Sequence, residues 1–302
     1  MLLFKTTAEM QKYIKIDSTT KEINFLPSVG DAQEKYIRPV LGKVMLKELL
    51  VFYNYATLPA GVTSVEGAAV KYKELLDVVC NALAKFTFFL ASPSYDLRLT
   101  DSGFAVMMNT NMAPASKDRV KALRDALELQ GWDCVETLIR YLEENKDFFT
   151  AWKDSEAYTM QLRNFINSAE EFDSFVPIDN SRLKFKGMRG AMTNVELLRI
   201  APVISTGLSV KIKGELKANV MCEADKKIID LLKRSVANYT AAEEIDPRYE
   251  KFGDSFLAEV RRVLDATPGD YPEYQGSTSF KTSASYQGYE NIEESGLFMF
   301  GN

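Results

Sequence analysis

The chain has 302 residues and a net charge of −5, and 46% of it is hydrophobic, enough for one large or two ordinary soluble domains. The acidic balance argues against a surface that holds nucleic acid broadly through charge and leaves only a local basic patch for that role. With zero histidines, Ser-His-Asp and Cys-His triads, histidine-based zinc sites and imidazole bases are excluded together. The three cysteines, Cys80, Cys134 and Cys222, are far apart and form no CxxC pair, so reduced thiols are expected rather than a zinc ribbon or redox motif. No run approaches 18 consecutive apolar residues, so no membrane span is expected. The opening MLLFKTTAEMQKY has no basic n-region, so no signal peptide is expected.

Taken in chain order, FKTTAE (4–9) reads as a helix start, with Thr6 and Glu9 fitting a capping box. YIRPVLG (36–42) places a proline inside a helical pattern, which predicts a kink or the first turn of a new helix. LPAGVTSVEGA (58–68) reads as a loop, and LLDVVCNALAKFT (75–87) carries apolar residues at helical spacing. The segment 92–117 contains Asp101-Ser102-Gly103 between the short runs Leu97–Leu99 and Phe104–Val106, the pattern of a β-hairpin arm. Residues 118–149 give two helices broken around Gln130-Gly131.

Beyond residue 160 the same blocks return in the same order. FINSAE (165–170) lies on FKTTAE, with Asn167 and Glu170 as the capping pair, and VPIDNS (176–181) lies on IKIDST (14–19). RIAPVIS (199–205) lies on YIRPVLG, so that Pro202 meets Pro39. IIDLLKRSVANYT (228–240) lies on 75–87, and RVLDATPGDYPEYQGS (262–277) lies on RYLEENKDFFTAWKDS (140–155). Both large gaps fall where loops or insertions are expected, which is where a duplicated fold tolerates change. At the corner, Gly42 is replaced by Ser205 and Arg38 by Ala201, so a recurring bend and buried face are expected rather than a special backbone position. LSVKIKGEL (208–216) alternates and reads as extended. The fold expected is mainly α. Two tandem related helical domains, 1–160 and 161–276, carry a small β-hairpin insertion in the first, and a low-complexity tail follows at 277–302.

No catalytic residue, metal ligand or cofactor site is expected. The charge runs Glu143-Glu144, Glu170-Glu171 and Glu243-Glu244 point about 100° apart on a helix and do not converge on one ion. No GxxxxGK[ST] or GxGxxG occurs. Two stretches are candidates for partner binding. RLKFKGMRG (182–190) concentrates Arg182, Lys184, Lys186 and Arg189, which suit phosphate or an acidic protein surface, whereas the matching KEINFLPSVG (21–30) is not basic. The tail ends in Leu297, Phe298, Met299 and Phe300, an apolar plug suited to docking on a neighbouring protein or subunit, or to packing back on its own domain.

FINSAEEFDSF, YIRPVLG, LTDSGF followed by APASK, and LEENKDFFTAWKDSEAY resemble an uncharacterised protein family of Bacteroidetes phages and prophages, over about 4 to 240. The family supplies no active-site residues. Its setting among phage structural genes implies a virion protein made in the host cytoplasm. It implies a head–tail connector or adaptor that forms a homo-oligomeric ring on the portal, meets portal and tail proteins and contacts passing DNA, without a membrane. Two further readings stand beside it. One is a carboxylate-based enzyme or nucleic-acid-processing factor, which needs at least two acids converging in a pocket. The other is a soluble bacterial protein-binding module.

Overall fold

The computed structural model describes residues 1–17, 20–59, 67–95, 97–100, 103–106 and 116–280. The chain is mainly helical. In order come α1 (Thr7–Met10), α2 (Leu26–Ala32), α3 (Arg38–Tyr55), α4 (Ala68–Tyr95), β1 (Leu97–Thr100) and β2 (Gly103–Val106). They are followed by α5 (Lys117–Glu144), α6 (Thr150–Lys153), α7 (Glu156–Gln161), α8 (Ala169–Asp173) and α9 (Arg182–Val195). The last are α10 (Ala201–Ile204), α11 (Thr206–Ala218), α12 (Glu223–Glu244), α13 (Glu250–Ala266) and α14 (Pro272–Gln275). Strands β1 and β2 pair antiparallel, with Leu97 opposite Val106 and Thr100 opposite Gly103. Residues 101 and 102 between them, 60–66 of the expected loop and 281–302 of the expected tail lie outside the described residues.

The chain forms two compact units. Of the described residues, those within 1–163 and 167–187 form the first, and 164–166 with 188–280 form the second. The division therefore differs from the expected cut at 160/161, because 167–187 packs within the first unit. Glu136 on α5 explains this: it accepts the Ala169 N–H at 3.0 Å and pairs with Arg182 at 2.9 Å.

The first unit is built on α4 against α5. Leu75, Val79, Leu83 and Phe86 of α4 and Val135, Leu138 and Leu142 of α5 are fully buried. Tyr36 stacks on Phe86 with centroids 3.9 Å apart, and Trp132 meets both rings edge-on. Helix α5 runs unbroken through Gly131, where a break is expected from sequence. A Cβ there would stand 2.7 Å from the Phe86 ring, so this glycine admits an aromatic neighbour rather than ending a helix. The stretch Ala68–Pro93 is long and apolar enough to cross a membrane by length and composition, which the count of consecutive apolar residues overlooks. Half of it is buried inside this unit, as in the core helix of a globular fold.

The second unit is built on α12 against α13. Gly253 repeats the role of Gly131, with an added Cβ falling 2.7 Å from the Tyr239 ring. Ser235 donates to the Gly253 carbonyl at 2.9 Å, and Tyr239 donates to Asp254 at 2.7 Å. The segment 208–216, expected to be extended, lies in helix α11. Leu208, Ser209 and Ile212 are buried while Val210 is exposed, an i, i+1, i+4 face that the alternating lysines disguise.

Local geometry recurs between the two. Each proline corner starts with a π-helical turn, Gln33–Ile37 or Glu196–Ile200. In both, the amide after the turn reaches the carbonyl five residues back, which widens the turn where the proline ring would clash with the carbonyl four back. Ile37 and Ile200, and Leu41 and Ile204, are fully buried. Contrary to the sequence reading, a special backbone position does recur. Gly42 has φ 76°, ψ 165°, and Ser205 has φ 77°, ψ 149°. The second N-terminal cap is Ser168, which accepts the Glu171 N–H at 3.1 Å, not the expected Asn167 with Glu170. It shares the role of Thr6, which accepts the Glu9 N–H, although the sequence alignment sets it against Thr7.

Candidate functional site

The four basic residues of 182–190 do not form one exposed stripe. Arg182, expected to meet a partner, is buried, its side chain only 5% exposed. It donates to Glu136 at 2.9 Å, to Gln161 Oε1 at 2.9 Å and to the Asn167 carbonyl at 3.5 Å. Burial pulls its pKa down and Glu136 opposes that pull, so the guanidinium is an internal post tying α5 to α9. Lys184 is exposed and pairs with Asp179 at 2.5 Å. Lys186 is exposed with its ammonium 4.5 Å above the Trp132 ring. Arg189 is half-buried, and its carbonyl accepts the Thr193 hydroxyl at 2.9 Å. Leu297, Phe298, Met299 and Phe300 lie outside the described residues. Beside Arg182 a cleft of about 440 Å³ is lined by Asp133, Glu136, Arg140, Glu170 and Asp179. Burial and the neighbouring Glu136 raise the Asp133 pKa. Glu136 and Asp179 already hold Arg182 and Lys184, so the cleft is an acidic rim with two of its charges engaged.

A second polar cluster, not anticipated from the sequence, lies wholly in the second unit. Lys211 and Glu215 sit one turn apart on α11, which places them on one face. Cys222 caps α12, its sulfur accepting the Asp225 N–H at 3.4 Å. The Glu215 carboxylate accepts the Cys222 N–H at 2.9 Å. Around the Lys211 ammonium stand Asp225 Oδ2 at 3.0 Å, Cys222 Sγ at 3.8 Å, Glu215 Oε1 at 3.9 Å and Glu273 Oε2 at 3.9 Å. Donor atoms of Glu215, Cys222 and Asp225 lie within 4.8 Å of one another. The Asp225 side chain is 0% exposed, and its Oδ1 has no hydrogen-bond partner. Desolvation disfavours the Lys211 charge, but the Asp225 hydrogen bond and the fields of Asp225, Glu273 and Cys222 outweigh it, so its pKa is raised. Lys211 is therefore a fixed cation and not a neutral amine nucleophile. Tyr271 closes the cluster, donating to the Ala224 carbonyl at 2.7 Å. Its own pKa is pushed up to about 12 by burial and then by Asp225 and Asp270.

Sequence gives only the i, i+4 spacing of Lys211 and Glu215, since cysteine is not a recognised cap residue and Cys222 shows no signal for that role. Nothing local joins them to Glu273, and reading 208–216 as extended puts Lys211 and Glu215 at the wrong spacing.

The second feature missed is apolar. Leu197 and Leu198 of the second π-turn are 64% and 71% exposed. The positions that match them at the first corner are Glu34 and Lys35, and Glu34 there pairs with Arg38.

Residues 37–161 match a family of unknown function (DUF6712). No curated protein and no solved structure matches the chain.

Proposed function

We propose that the chain is a non-enzymatic structural subunit of a phage particle, a head–tail connector or adaptor that rings the portal and joins capsid to tail. It arose by internal duplication and carries a hairpin arm at β1–β2. The observation that carries an assembly role is the leucine pair at the second corner. Two adjacent leucines more than half exposed suit burial against another subunit, whereas the matching first corner is charged. Duplication is supported by the paired π-turns, by Gly42 and Ser205 in one backbone conformation, and by Gly131 and Gly253 each under an aromatic ring. The particle and portal assignment rests on the sequence resemblance. In this reading the hairpin arm and the segment 277–302 make subunit contacts, and Lys184 and Lys186 face passing DNA or an acidic partner.

One observation favours the enzyme reading, the convergence of Glu215, Asp225 and Glu273. It is weakened because all three carboxylates face one lysine ammonium, an arrangement that ion pairing by itself explains.

Deleting the gene from the phage tests the proposal. Unjoined heads and tails are expected to accumulate, and complementation with Leu197→Asp/Leu198→Asp protein should fail while the soluble chain stays folded by circular dichroism. Normal infectious particles in the deletion would exclude the connector role.

A further inference from the structure

We infer that the second unit binds a divalent transition-metal cation through Cys222, Asp225 and Glu215, in exchange for the Lys211 ammonium. Three observations carry this. The donors are one thiol and two carboxylates within 4.8 Å of one another, a set suited to Zn²⁺ or Co²⁺ and not to calcium, which takes oxygen alone. The centre of the set already holds a positive charge, so the cage is built for a cation. Finally, the cluster is short of cations, because Glu215, Asp225 and Glu273 share the one ammonium of Lys211. Asp225 is wholly buried, yet its Oδ1 has no hydrogen-bond partner, a state that costs free energy unless a cation or donor reaches it.

The exchange is sterically open. The Lys211 side chain is 28% exposed and sits on a long flexible stem, so the ammonium can swing toward solvent. Glu273 Oε2, which is not one of the three metal ligands, lies 3.9 Å from the ammonium. The metal takes the vacated centre and forms bonds to the Cys222 sulfur, an Asp225 oxygen and a Glu215 oxygen. The thiol proton is released to solvent as the sulfur–metal bond forms, and no electrons are transferred. Water completes the coordination. The result is a clip between α11 and the start of α12, a structural cation in a chain with no histidine to offer one.

Cobalt(II) titration of the full chain tests this, because thiolate ligation gives a near-ultraviolet charge-transfer band that carboxylates alone do not. The band is expected in the Cys80→Ser/Cys134→Ser protein, which leaves Cys222 as the single thiol. It should be lost in Cys222→Ser, a variant that keeps a good helix cap and so keeps the fold. Zn²⁺ should abolish the band by competition. Lys211→Met should tighten binding about tenfold or more, because it removes the positive charge that competes for the centre. Asp225→Asn should weaken binding, with circular dichroism reporting whether it remains folded. No band in the wild-type chain overturns the inference, including the case where only Lys211→Met binds, since the lysine is then a permanent counter-ion. A band that survives Cys222→Ser overturns it as well.

Discussion

The two proline corners reach one backbone conformation by different means. At the first, Gly42 occupies a region near φ +76°, ψ 165° that is almost confined to glycine. At the second, Ser205 occupies it and is held by its own hydroxyl, which accepts the Leu208 N–H at 3.2 Å and donates to the Glu273 carbonyl at 3.0 Å. The same contrast runs outward from the corners. Phe86 is matched by Tyr239, whose phenol bonds Asp254, and Phe149 by Tyr271, whose phenol bonds the Ala224 carbonyl. Gln33 is matched by Glu196, buried beside Lys213 and accepting the Phe165 N–H at 2.7 Å. Both corners carry side-chain hydrogen bonds: at the first, Trp152 Nε1 donates to the Val40 carbonyl at 2.9 Å, and the second adds the Ser205 hydroxyl and the buried Glu196. Unsatisfied buried partners cost more than satisfied ones gain, so the second corner is sensitive to the loss of a single polar atom, as the first is to the gain of a single methyl.

The two units are most alike where an aromatic ring covers a helical glycine, and the largest effects are expected there. Gly131→Ala should destabilise the first unit by about 2–3 kcal/mol, because its Cβ meets a Phe86 ring already stacked on Tyr36. Gly253→Ala should cost the second unit a similar amount. Denaturant unfolding measures both, and tolerance of either alanine would break the parallel. At the corner itself, Gly42→Ala should cost about 2 kcal/mol through backbone strain and the contact with Ser155. Ser205→Ala should cost about 1–2 kcal/mol by removing two hydrogen bonds while keeping the strain. Ser205→Gly should fall within about 0.5 kcal/mol of wild type, because relief of strain offsets their loss. Equal effects of alanine and glycine at 205 would remove the strain from the account. Smaller still, Tyr239→Phe and Tyr271→Phe should each cost about 1 kcal/mol.

The smallest expected effect is on pH dependence. Burial raises the Glu196 carboxyl pKa, and the pull of Lys213 and the Phe165 amide opposes it only in part. A raised folded-state value means the native state holds the proton longer than the unfolded chain. Stability from this group is then full below about 4.5 and falls as pH rises through the raised value. Glu196→Gln, which copies Gln33, should remove that component. The stability of wild type relative to the glutamine variant should decline with pH in that window, and a flat difference would contradict the assignment.

Much of the helical pattern was legible in the sequence, because burial follows the 3.6-residue period of long segments such as 75–87 and 228–240. The proline corners were visible as motifs, but their π-turns and the conformation of Ser205 were not, since neither leaves a compositional mark. Gly131 was misread as a helix end because its meaning lies in Phe86, 45 positions earlier in the sequence. Arg182 looked like surface charge because its partner, Glu136, stands on another helix. The Lys211 cluster was hidden for the same reason, and further by an alternation of lysines that imitates a strand.

The central proposal concerns assembly, and quantitative mass spectrometry of purified phage particles tests it most directly. The account predicts this chain in intact particles at a fixed, ring-like ratio to the portal subunit. Its absence from particles that carry portal and tail proteins would contradict it.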